Sequence, residues 1–174
     1  MGTVNGLPAH ILLVHAIVVL LPLAAVLLVL TAWWPAARRR LAGPNVLLSA
    51  ATLVLVPITM DAGQWLQDRV PDTPLLQDHT QLGDTALYAA FAVTVMALVT
   101  WWRHREALRV SGVPSGAKRT FLAPRNTGVT VVVGVVASLI AGAALYDVYL
   151  IGDSGARASW TGDYSATVIE DNAD

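Results

Sequence analysis

Cysteine is absent from this 174-residue chain. That excludes disulfides, thiolate metal sites, cysteine-ligated iron–sulfur clusters and covalent c-type haem attachment. Charge is scarce as well. Asp, Glu, Lys and Arg make up 13% of the residues, where a soluble domain carries about a quarter. Also missing are an internal repeat, a phosphate-cradling glycine loop and a Ser or Cys triad arrangement. With no activated nucleophile in view, a stand-alone enzyme such as a hydrolase is not expected. Ala, Val and Leu fill the gap, bringing hydrophobic residues to 55% and mean hydropathy to +0.58. A deficit of charge that deep marks a membrane chain.

Crossing a bilayer takes about 20 residues of helix, and four apolar runs reach that length: residues 7–34, 45–65, 80–102 and 126–151. None alternates with the period of a barrel strand. The first run has no basic segment before it and is about twice the length of a signal-peptide core, so it reads as a span. The expected organisation is an all-α membrane protein, with a four-helix transmembrane domain over 1–151 and an extracytoplasmic tail over 152–174.

The few charges are sorted by side. Arg38, Arg39 and Arg40 follow the first run, and Arg103, Arg105, Arg109, Lys118, Arg119 and Arg125 follow the third, against a lone Glu106. Nine of the 11 basic residues therefore flank the same two linkers, and only Arg69 and Arg157 fall elsewhere, among the other acids. The positive-inside rule puts those linkers in the cytoplasm and both termini outside. Trp33–Trp34 and Trp101–Trp102 mark the inner interface, with Trp65 and Tyr149 at the outer one. Short connections favour an up-down-up-down bundle. Pro22 and Pro57 lie inside the first two helices and are expected to kink them. In the fourth helix Thr130, Gly134, Ser138, Gly142 and Tyr146 recur every four residues, a ridge that lets another helix approach closely, within the chain or from a partner copy. The basic linker 103–125 reads as a lipid-surface segment followed by a flexible loop, not as a nucleic-acid site.

A set of polar residues gathers toward the outer helix ends: His10 and His15 on the first helix, Asp61 on the second, His79 and Asp84 on the third, Tyr146 and Asp147 on the fourth. An ionisable group inside a span costs about 2.5–3.5 kcal/mol on insertion scales, so such groups tend to face inward, paired and functional. A buried structural pair of His15 with Asp61 or Asp84 is the plain alternative. His104, between Arg103 and Arg105, reads as a headgroup contact.

The stretches GLPAHILLVHAIVVLLPLA, DAGQWLQDR, HTQLGDTALY and IGDSGARASW resemble, in order, the bacterial membrane family labelled domain of unknown function 2231. The resemblance covers the chain from the first helix to Trp160 and sets His10, His15, His79, Gly83, Gly152, Ser154, Gly155 and Trp160 on its motifs. The chain departs from it at Ile11, where the family has proline, and at Asp153, where many members have histidine. In some relatives the domain is joined to Rieske-type or cytochrome c-type modules, which implies membrane redox work.

Three readings stay open. The first is an electron-transfer membrane subunit binding haem b between His15 and His79, with Arg69 or Arg157 meeting the propionates. The second is a copper or zinc site built from His10, His15, His79, Asp61 and Asp84. His10 and His15 lie about 140° apart around a helix, which strains a site needing both. The third is a non-catalytic accessory or scaffold subunit of a larger membrane (respiratory) complex, or a homo-oligomer, docking through Gly134, Ser138 and Gly142. A transporter is disfavoured by the lack of an inverted repeat and of a polar path across the inner half.

Overall fold

The computed structural model describes residues 2–110, 127–162 and 164. Most of the expected loop after the third span and the end of the tail lie outside the described residues. The chain opens on a two-stranded hairpin, β1 (Thr3–Val4) and β2 (Leu7–Pro8), paired antiparallel. Asn5 and Gly6 turn it with φ of 51° and 82°, the positive angles that an Asn-Gly hairpin turn requires. The first helix, α1 (Ala9–Trp33), therefore starts two residues later than hydropathy suggests.

The junction of α1 with α2 (Pro35–Gln67) corrects the expected linker. Pro35 pushes the residue before it out of the helical region, and Trp34 takes φ −105°, ψ 110°. That single residue breaks the helix, and Pro35 starts the next one at a position where its missing N–H costs nothing. The arginines of PAARRRLAGP are thus helical. Arg38 folds back on α1, its Nε donating to the Thr31 carbonyl at 2.7 Å and its Nη2 to the Ala32 carbonyl. Those belong to the last-turn carbonyls that a helix end leaves without partners.

Helix α3 (Pro74–Gly83) begins with Pro74 at its first position and is capped by Thr73, whose hydroxyl accepts from the Leu76 N–H at 3.2 Å. After Asp84 the chain continues as α4 (Thr85–Val110). The third span so begins several residues before the expected 80. The last helix, α5, runs Thr127–Trp160, so residues 152–160, expected as tail, are helical. An Arg157–Asp153 ion pair at 2.9 Å, one turn apart, and the Ser154 hydroxyl bonded to the Ile151 carbonyl at 2.9 Å support that extension despite its glycines.

Helix α1 packs on α2 and α5, α4 packs on the same two, and α3 lies against α5. Inside the ring sit Leu21, Ala24 and Leu28 of α1, Val56 of α2, Val93 of α4 and Ala137, Ala141 and Ala144 of α5. Small residues at the centre let the backbones approach closely. Large apolar ones point out: Leu47 is 73% exposed, Leu139 68% and Val54 63%. This inversion of the usual soluble pattern makes the outer surface compatible with lipid. Four helical stretches, Ala9–Trp33, Pro35–Gln67, Pro74–Arg109 and Thr127–Trp160, are long and apolar enough to cross a membrane.

The four-residue ridge of α5 does not form one face. Each step of four advances about 40° beyond a full turn, so Gly134 is buried while Gly142 and Tyr146 are exposed. The start of the ridge is used inside the chain. A Cβ on Gly134 would come within 2.8 Å of the Trp33 ring, and Trp33 Nε1 donates to the Ser138 hydroxyl at 2.9 Å. A polar stripe, Asn45, Ser49, Thr52 and Thr59, lies buried along α2. The three hydroxyls donate to carbonyls of their own helix. Asn45 leaves both amide atoms buried and unpaired.

Candidate functional site

The start of α1, the end of α2, α3 and the end of α5 meet at one end of the bundle, and they bring two histidines together there. His10 is the second residue of α1. Its Nδ1 lies 3.0 Å from the Thr59 carbonyl oxygen. A carbonyl only accepts, so Nδ1 carries a proton, and in the neutral ring Nε2 keeps the lone pair. His79, on α3, sets Nδ1 3.0 Å from the Ser154 hydroxyl. That hydroxyl already gives its proton to the Ile151 carbonyl, so it accepts from His79 Nδ1, and in the neutral ring Nε2 then keeps the lone pair. The ring centroids are 6.5 Å apart with planes inclined by 72°.

Each ring rests on a glycine. A Cβ on Gly63 would stand 3.0 Å from the His10 ring, and one on Gly155 would stand 3.0 Å from His79 Cε1. Any larger residue at either place forces the ring to give way. Gly63 belongs to DAGQWLQDR, and Ser154 and Gly155 to IGDSGARASW, so the four stretches singled out in the sequence gather at this end. Trp65 extends the wall: the N-terminal segment crosses it so closely that a Cβ on Gly2 would lie 2.6 Å from its ring.

The other expected site residues are not drawn in. His15 is exposed on α1, its Nδ1 bonded at 2.6 Å to the Ile11 carbonyl of its own helix. It stands apart from the His10–His79 pair because five residues of helix turn it to another face. Asp61 and Asp84 are exposed, on α2 and at the α3–α4 junction. Arg69 lies over the Trp65 ring at 4.0 Å and donates to the Trp65 carbonyl at 2.7 Å. Arg157 is paired with Asp153. Among the described residues, no group of three or more His, Asp or Glu side chains is close enough to hold a metal ion. Asp61 and Asp84 thus supply no third ligand beside the two imidazoles.

Asp147 of α5 is the acid that sequence reasoning left out of its ligand sets. Its Oδ1 lies 2.5 Å from the Thr85 hydroxyl, which is also 2.6 Å from the Leu82 carbonyl and has one proton for both. Its Oδ2 is buried with no partner. Asp147 sits two turns below Ser154, about 10 Å along the helix. The signal for it was available: no other ionisable side chain with a formal charge lies between Thr127 and Ile151. Next to His79 a groove of about 360 Å³ opens between α3 and α5, bordered by Asp78, Gln81, Asp153, Ser154 and Arg157.

The site therefore offers two imidazoles in edge contact, each oriented through its Nδ1, a buried carboxylate oxygen on α5, and beside His79 a groove lined by both polar and apolar side chains. No family model matches the chain, and no curated protein or solved structure matches it either.

Proposed function

We propose that the chain is an integral membrane subunit that holds a redox metal centre between His10 and His79, haem b being the group expected, for electron transfer within a larger membrane complex. In this reading it belongs with the domain of unknown function 2231 proteins that it resembles. It spans a bacterial plasma membrane four times, up-down-up-down, with both termini and the histidine pair on the extracytoplasmic side.

The observation that carries the reading is the pair itself. Two imidazoles this close would hold one metal ion through nitrogen bonds of about 2.0–2.1 Å; their ring centroids stand 6.5 Å apart with planes inclined by 72°. Both Nδ1 protons are held by protein oxygens, the outer-shell arrangement that fixes ring orientation and raises ligand basicity. A haem so ligated supplies one-electron transfer at a potential set by its surroundings. The chain's own part is to orient the imidazoles through Thr59 and Ser154, to seat them on Gly63 and Gly155, and to offer Arg157 at the rim.

A second reading is favoured by the same bonds: His10 ties α1 to α2 and His79 ties α3 to α5, as structural pins in an accessory subunit. Absorption spectra of the detergent-purified protein, oxidised and dithionite-reduced, with elemental analysis on the same sample, separate the two. Haem gives Soret and α bands that disappear in His10→Ala and in His79→Ala and persist in His15→Ala. Stoichiometric copper or zinc without those bands replaces haem by a bare ion at the same pair. A colourless, metal-free protein sinks the redox reading and leaves the accessory subunit.

A further inference from the structure

The opposite end of the bundle carries a site of the reverse chemistry. Arg38 of α2 and Arg103 of α4 line one small cavity of about 10 Å³ together with Thr100 and Thr130, about the space that one water-sized oxygen occupies. Each guanidinium is anchored from its own side. Arg38 holds the Thr31 and Ala32 carbonyls of α1, and Arg103 reaches the Val129 carbonyl at 3.3 Å and the Thr130 hydroxyl at 3.2 Å on α5. A guanidinium has five N–H donors, and these contacts use only some of them. Among the described residues no carboxylate bonds either group. The nearby acid, Glu106, acts on Arg103 through its charge and accepts from Trp102 Nε1 at 2.9 Å. Arg38 and Arg103 repel one another, and His104 stands in the field of Arg38, Arg39 and Arg105.

We propose that Arg38 and Arg103 bind a phosphate-bearing anion, one phosphate oxygen seated between the two guanidinium groups. The planar forks suit phosphate geometry, an anion relieves the repulsion between the two like charges, and the cavity admits one oxygen while the rest of the group stays outside. Trp33, Trp34 and Trp102 ring the same end, 47%, 60% and 47% exposed. Such indoles sit at headgroup depth in a bilayer, where phosphate is most abundant.

The test uses the full chain in a neutral detergent, titrated with phosphatidylglycerol, phosphatidylcholine or inorganic phosphate, with melting temperature and tryptophan fluorescence as readouts. Phosphatidylglycerol is expected to raise the melting temperature where phosphatidylcholine does not. Arg103→Gln is expected to weaken that response by about tenfold or more, as is Arg38→Lys, which keeps the charge and loses the fork. Arg69→Gln, at the other end, responds as the parent does. Inorganic phosphate that displaces the lipid supports the same site and names a soluble anion as its source. Equal responses to the two lipids overturn the proposal, and the parent protein alone decides that even where a variant fails to fold. An unchanged phosphatidylglycerol response in a folded Arg103→Gln protein overturns it too.

Discussion

The two ends of the bundle are built by the same device and left with opposite chemistry. At each, a large ring from one helix lies on a glycine of another: His10 on Gly63 and His79 on Gly155 at one end, Trp33 on Gly134 at the other. At each, a side chain reaches across to backbone carbonyls, His10 to Thr59 and Arg38 to Thr31 and Ala32. What remains differs. The histidine end keeps surplus acceptors, two Nε2 lone pairs and the buried Asp147 Oδ2. The arginine end keeps surplus donors on guanidiniums. Close helix packing is therefore neutral about function, and the leftover hydrogen-bonding capacity sets the class of ligand each end can take.

That comparison breaks most sharply at the glycine seats. Gly134→Leu drives a side chain into the Trp33 ring and separates it from Ser138; overpacking of this kind costs about 1–3 kcal/mol, read as a lower melting temperature in detergent. Gly155→Ala, whose Cβ would meet His79 at 3.0 Å, is expected to break the His79–Ser154 bond, at about 1 kcal/mol, and to change any spectrum that depends on His79. If Gly155→Ala leaves both stability and spectrum untouched, the seats are not equivalent and the comparison falls. Asn45→Leu, which removes a buried amide with no partner, is expected to raise stability by about 1 kcal/mol; a loss would mean that an unseen partner satisfies it. Gly142→Ala meets nothing within 4 Å and should stabilise α5 by up to about 1 kcal/mol through helix propensity alone. The opposite signs at Gly134 and Gly142, eight residues apart on one helix, test the packing of α5 directly.

Hydropathy made the four apolar runs legible because each of them is long enough to need no finer signal. Helix ends were harder, since the cues there are local and compete. PAARRRLAGP has the composition of a loop, yet one proline stops α1 at Trp34, and Arg38 then caps what it stopped. The Gly- and Ser-containing stretch after Ile151 looks like coil, and its helix is held by an ion pair and by contact with α3, which no local propensity reports. At the candidate site, depth along the helix suggested His15 with His79, whereas rotation around the helix decides which histidine can turn inward. The 140° between His10 and His15 carried that information, and the structure turns His10 in. Gly63 was invisible as a site residue and Gly155 was marked by the family resemblance alone, because a glycine declares its role only when a neighbour occupies the room where its side chain would be.

Helix α3 buries none of its residues, although it carries one of the two rings. Its ten residues hang from a turn at Asp84 and touch the bundle through α5 and, more lightly, α4. In kinetic terms α3 is expected to open more readily than α4, its amides exchanging with solvent before those of α4. On that expectation the spacing of the two rings follows a local opening of α3, separate from the four-helix core that holds His10.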